Sequence, residues 1–148
     1  MKQNRIDIFS AVGLLSMIAG ILLLLSNQGL LSLSPIVIAV QILAVLLMIW
    51  ARLTFGRRSF HATASPTEGG LVTTGPYRYV RHPIYAAALF ITWAGVFGNL
   101  SVLNVAFGFL TLAGALARIY CEETLVRVRY PEYDDYAKKT RPLIPFLF

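Results

Sequence analysis

The sequence contains a single cysteine, Cys121, so no disulfide can form within the chain and nothing points to a secreted, disulfide-stapled fold. Charge is also scarce. Only 14% of the 148 residues are Asp, Glu, Lys or Arg, against about a quarter in ordinary soluble domains. That shortage excludes a disordered chain and a solvated nucleic-acid binder, and no nucleic-acid partner and no metal site are expected. No G-x-G-x-x-G stands between a strand and a helix, so a Rossmann-type cofactor domain is not expected either. What is present is apolar: 57% of the residues are hydrophobic and the mean hydropathy is +0.67. These values place the chain among all-α integral membrane proteins, as one membrane domain over residues 1–148.

The net charge of +6 is informative through its placement. After Asp7 no formal charge occurs until Arg52, and after Arg81 none occurs until Arg118. The first neutral stretch is too long for one span of about 20 residues and is interrupted by turn-prone residues from Ser26 to Pro35. It therefore divides into helices over about 8–25 and 36–51. The second breaks at Gly98-Asn99, predicting a short helix over about 83–97 and a fourth from about 100 to 117. Both breaks between spans are uncharged and every Lys and Arg lies on the other side, so the positive-inside rule predicts cytoplasmic termini. A cleaved signal peptide would also start with Lys2, Arg5 and an apolar run. No small-x-small cleavage site follows Leu25, which argues against it. The expected location is the inner or plasma membrane of a bacterium or archaeon. Gln41 and Asn104 lie within spans, where helix–helix hydrogen bonding is the commoner role for a polar side chain.

Function is expected in the cytoplasmic segments, about 66–85 and 118–148. Arg52, Arg57 and Arg58 form a juxtamembrane cluster suited to topology setting and anionic headgroups. From Ser65 to Tyr77 three glycines, two prolines and three threonines preclude a continuous helix. A loop follows, either a plain turn or a place where backbone N–H groups meet an anion. The run Tyr77-Arg78-Tyr79-Val80-Arg81-His82-Pro83-Ile84-Tyr85 then concentrates tyrosines, arginines and a histidine at the mouth of the third helix. Pro83 suits the first helical turn, which puts His82 at the cap beside unpaired N–H groups.

Nothing breaks the fourth helix before Pro131, so it continues past the membrane through Arg118, Cys121, Glu122, Glu123 and Arg127. Arg118 and Glu122 share a face, as do Glu123 and Arg127. Two readings stand: a surface ion-pair ladder, or a functional site built around an arginine close to the apolar span.

The order Leu71-Val72-Thr73-Thr74-Gly75-Pro76-Tyr77, then Arg81-His82-Pro83-Ile84-Tyr85, then Glu122-Glu123, Tyr133, Tyr136, Arg141-Pro142 and Pro145 resembles the isoprenylcysteine carboxyl methyltransferase family of membrane enzymes. The related phospholipid methyltransferases share much of it. The resemblance covers roughly residues 69–146 and implies S-adenosylmethionine as cofactor. It implies that Gly69, Gly70, Leu71 and Val72 lie along the cofactor, with Tyr77, His82, Pro83, Ile84, Tyr85 and Glu122 completing its site. It also places Arg118 on the substrate carboxylate and makes Arg118, Glu122 and Glu123 the catalytic candidates. A family glutamine expected near His61-Ala62 has no obvious equivalent.

A carboxylate is already a nucleophile, so its methylation needs alignment and exclusion of water more than a base. A planar arginine suits that alignment. The function expected is therefore methylation of a lipid-like or prenylated acceptor at the membrane interface, with carboxyl O-methylation foremost. Alternatives are N-methylation of a phospholipid or amine, with Glu122 or Glu123 as base; an NADPH enzyme resembling the sterol reductases; or a non-catalytic membrane binding protein.

Overall fold

A computed structural model describes residues 3–56 and 70–145. Five α-helices form among the described residues: α1 (Gln3–Ser26), α2 (Pro35–Phe55), α3 (Pro83–Gly98), α4 (Val102–Arg129) and α5 (Tyr133–Lys139), with a 3₁₀ turn at Gly75–Arg78. Among the described residues the nearest thing to a sheet is one parallel bridge between Val80 and Arg141. The chain is an all-α integral membrane protein. Three helices among the described residues, α1, α2 and α4, are long and apolar enough to cross a bilayer, and α3 is a shorter apolar helix.

Helix lengths differ from the sequence expectation at their ends. The first helix starts before residue 8, taking in Arg5 and Asp7, and the second runs on to Phe55. The fourth begins at Val102 because Ser101 caps it, its hydroxyl accepting from the Asn104 N–H at 3.1 Å. At 1.5 Å per residue the 28-residue α4 is about 42 Å long, against about 30 Å of hydrocarbon. The helix is therefore longer than a span needs, and its charged last turns, with Glu122, Glu123 and Arg127, are the part suited to lie outside the bilayer.

The neighbour order is α1, α4, α3, α2, with α1 lying along α4 and α2 along α3. Lipid tails are as apolar as leucine, so close approach of backbones must hold the helices together. Small residues supply it where α1 meets α4. A Cβ on Gly114 would stand 2.5 Å from the Gly13 carbonyl oxygen, and one on Gly20 would stand 2.3 Å from Thr111 Oγ1. The outward faces of α1 and α2 expose leucines and isoleucines such as Leu22, Ile36 and Leu43, as lipid-facing surfaces do.

The uncharged end is knitted by amides. Asn27 Nδ2 donates to Asn104 Oδ1 at 2.8 Å, Asn104 Nδ2 to the Asn99 carbonyl at 2.7 Å, and Asn99 Nδ2 to the Leu31 carbonyl at 2.8 Å. Gln41 donates to the carbonyls of Leu30 and Ile91. Asn104 and Gln41 thus have the linking roles expected of polar residues within spans. The same bonds bring the 26–35 loop and the Gly98-Asn99 turn together, leaving the charged segments at the opposite end.

Candidate active site

Three segments remote in sequence converge at the charged end: residues 70–85, the end of α4, and the tail from 130 to 145. The tail is fastened by backbone. Arg81 N–H donates to the Arg141 carbonyl at 2.8 Å and His82 N–H to the Pro142 carbonyl at 3.0 Å. Leu143 then enters the core between α1, α3 and α4, among Met17, Ala86, Leu89, Ala115 and Ile119. Tyr136 adds a side-chain tie, its hydroxyl donating to the Tyr77 carbonyl at 2.6 Å.

Pro83 opens α3 and His82 is its N-cap, as the sequence suggested, but the His82 ring makes no capping bond. It turns instead to the acidic pair, with Nε2 3.2 Å from Glu123 Oε1 and Nδ1 3.6 Å from Glu122 Oε2. Burial opposes a charged imidazole here. The hydrogen bonds and charges of Glu122 and then Glu123 outweigh it, and the His82 pKa lies above its ordinary value.

Glu122 and Glu123 are neighbours with different partners, because successive residues on a helix point about 100° apart. Glu122 accepts from the Tyr85 hydroxyl and from Arg118 Nη2, the latter at 3.3 Å. Arg118 Nε donates to the Tyr85 oxygen at 2.7 Å, which closes a ring of three side chains. Arg118 is 4% exposed, so its charge is taken up inside the protein, while the Glu122 side chain keeps 25% of its surface open. Glu123 pairs with Arg81 at 2.8 Å and Arg127 at 3.3 Å, and Arg127 pairs with Asp134 at 3.1 Å. Both i,i+4 pairs read from the sequence are therefore formed, as parts of a larger network.

The other cofactor candidates lie toward α2. Gly70 has φ +87°, a left-handed conformation that favours glycine. Leu71, Val72, Thr73 and Thr74 join Thr54, Phe55 and Gly56 in lining a cavity of about 420 Å³. Gly75 pins this segment to α2, since a Cβ there would fall 2.6 Å from Thr54 Oγ1 and its φ is +57°. The buried Tyr77 packs on Phe55 with ring centres 5.3 Å apart. Burial raises its pKa, aided by the charges of Tyr136 and Glu122, so the phenol stays neutral. Gly69 and the His61-Ala62 position lie outside the described residues.

The structure brings together His82, Tyr85, Arg118, Glu122 and Glu123, and it places Leu71 and Val72 on the cavity. Sequence reasoning passed over Arg81, Thr140 and Leu143. Arg81 stood inside the recognised run, and its adjacency to His82 was the available signal.

The family model described as phospholipid methyltransferase matches residues 30–133, which include Tyr77, His82, Tyr85, Arg118, Glu122 and Glu123. The chain belongs to that family. The match bears out the kinship inferred from the motifs. The nickel-cobalt-cadmium resistance protein NccN of Alcaligenes xylosoxydans xylosoxydans is 40% identical over 80 residues, 52% of this chain and 37% of that protein. A methanethiol S-methyltransferase of Crocosphaera subtropica is 32% identical over 72 residues, 48% of this chain and 28% of that enzyme. The aligned parts thus span well under half the length of either relative. No solved structure matches the chain.

Proposed function

We propose that this chain is an S-adenosylmethionine-dependent methyltransferase acting at the membrane interface, with its charged end in the cytoplasm. The observation that carries the reading is the meeting of His82 and Tyr85 with Glu122 at the end of α4, where the tail is fastened to Arg81 and His82, in a chain of the phospholipid methyltransferase family. The residues suit the cofactor. A cavity of about 420 Å³ falls within the range of small-molecule sites, and two of its lining residues, Leu71 and Val72, were expected there. Gly70, Leu71, Val72 and Tyr77 would hold the cofactor on one side and Glu122 on the other, with His82, Pro83, Ile84 and Tyr85 as the wall that carries Glu122's partners. The cofactor, when bound, supplies an electrophilic methyl group on a sulfonium. The chain's own work is to bind, to orient, and to keep water out with the tail and α3.

A hydrophobic acceptor suits a site at the end of lipid-exposed helices. Carboxyl O-methylation is the reading that Arg118 supports, its planar guanidinium held in one orientation by Tyr85. A second reading is favoured by the Arg118–Glu122 pair at 3.3 Å, which already matches the arginine's charge and so suits an uncharged acceptor such as a thiol or an amine. The S-methyltransferase relative supports the same choice.

The test is calorimetric binding of S-adenosylmethionine and NADPH to the purified protein, then radiolabelled methyl transfer to lipid extract and to an alkanethiol. S-adenosylmethionine binding with methyl transfer is expected. Base-labile label releasing methanol identifies a methyl ester, and base-stable label identifies N- or S-methylation. Binding of NADPH alone would defeat the methyltransferase reading.

A further inference from the structure

A single oxygen of Glu123 serves two neighbours. Oε1 accepts from Arg81 Nε at 2.8 Å and lies 3.2 Å from His82 Nε2. The same Arg81 donates through Nη1 to the carbonyls of Ala137 at 3.0 Å and Thr140 at 2.7 Å. Those carbonyls lie at the end of α5, where a helix leaves acceptors unpaired. The Arg81 and Glu123 side chains are 10% and 13% exposed, so the junction is mostly shielded from water. The tail's fastening and the site's imidazole therefore meet at one carboxylate oxygen.

We infer that Arg81 and Glu123 are positioning residues: together they dock the tail on α4 and hold the His82 imidazole toward Glu122. His82 lies on the backbone immediately after Arg81, and its own N–H is bonded to Pro142 in the same tail. Release of Arg81 from Ala137 and Thr140 frees one side of that arrangement. Loss of the Glu123 charge removes the partner that both cations share. Around His82, α4 presents Glu122 and Glu123, and α3 presents the Tyr85 ring with centres 5.9 Å apart. From the tail side Tyr133 approaches Glu123, with Arg127 over its ring. Arg127 is the control for the His82 readout alone, because it bonds the other oxygen, Oε2, while also pairing with Asp134 of the tail.

The inference goes beyond the methyltransferase reading and rests on it only in treating His82 and Glu122 as active-site groups. It is tested on the full chain in lipid nanodiscs with no cofactor added. Hydrogen exchange over residues 133–145 reports tail docking. The ¹⁵N resonances of the His82 ring report the imidazole, and the only other histidine, His61, is removed by His61→Gln for assignment. Glu123→Gln should speed tail exchange about tenfold and lower the His82 titration midpoint in the same protein. Arg81→Gln should speed exchange similarly and shift the His82 resonances. Arg81→Lys should restore only part of the protection, because one ammonium cannot reproduce the forked contacts. Arg127→Gln should leave the His82 signals near wild type, even where loss of its pair with Asp134 speeds tail exchange. A tail brace unrelated to the site would change exchange in Arg81→Gln and leave the His82 signals unmoved, and that result overturns the proposal. Unchanged exchange in either Arg81→Gln or Glu123→Gln overturns it too. Should Arg81→Gln fail to fold, Glu123→Gln carries the same two readouts. Failure of the wild type to bind S-adenosylmethionine would defeat the functional reading, whereas exchange and resonance data decide the docking role independently.

Discussion

Tyr85 stands between Arg118 and Glu122, taking the Arg118 Nε hydrogen at 2.7 Å and giving its own hydroxyl hydrogen to Glu122. Neither the arginine nor the glutamate is therefore oriented by its own helix alone. Tyr85→Phe preserves the ring and removes the bridge. Because Arg118 is buried, the substitution should cost about 1–3 kcal/mol of stability, read as a lowered unfolding midpoint in detergent. It should reduce methyl transfer more than cofactor affinity. A variant as stable and active as wild type would show that the bridge has no role.

Glu122 is the side chain expected to meet the cofactor, and it is the more open of the acidic pair. Glu122→Ala should weaken S-adenosylmethionine binding by about 1.5–3 kcal/mol, the range for losing a bond to a charged group. Isothermal titration on the folded variant checks this. Equal affinity in the variant and wild type would move the cofactor away from this residue.

The raised pKa of His82 makes a prediction about pH. Its folded value lies above the ordinary 6.5, so the protonated ring's stabilising contribution is complete below about pH 6.5. That contribution is lost as pH climbs through the folded value. The gap in unfolding temperature between wild type and His82→Gln should therefore be largest near pH 6 and narrow toward pH 9. A gap that widens with pH would contradict a charged imidazole between the two glutamates.

The α1–α4 seam should be intolerant of a single methyl group at Gly114, where the added Cβ meets backbone of α1 at 2.5 Å and 2.8 Å. Backbone cannot swing aside, and Gly114→Ala should destabilise by about 1–3 kcal/mol. At Gly108 the nearest atom is a side-chain carbon of Val96 at 3.2 Å, so Gly108→Ala should cost much less. Comparable midpoints for the two variants in detergent unfolding would refute the seam.

Reporter fusions test the orientation. A fusion after Phe148 should report the cytoplasm and one within the loop between α1 and α2 the opposite side, because all the Lys and Arg gather at one end. A reversed pair of signals would invert the proposed placement of the site.

The helices were legible because their causes are local. Neutral stretches bounded by Asp7, Arg52, Arg81 and Arg118 identify apolar segments, while Pro35, Pro83 and Pro131 and the Gly98-Asn99 turn mark their limits. The i,i+4 pairs on α4 were legible for the same reason, since helical spacing alone sets them side by side. The neighbour order of the helices was not. Lipid-facing and buried positions are both apolar, so hydrophobic periodicity is weak, and only close approaches such as Gly13 to Gly114 reveal which helices touch.

The chain's composition and motif order determined by themselves that this is a helical membrane protein with its charged segments, the proposed seat of its chemistry, gathered at one end. They also determined which residues are candidates for that chemistry. Tertiary structure alone decided how those candidates divide. Glu122 and Glu123 are adjacent in sequence, yet the 100° turn between them sends one to Tyr85 and Arg118 and the other to Arg81 and Arg127. Likewise Leu143, one more apolar residue near the end of the chain, becomes core only because the tail folds back between α1, α3 and α4. Local spacing cannot report such contacts, because each depends on where a distant segment comes to rest.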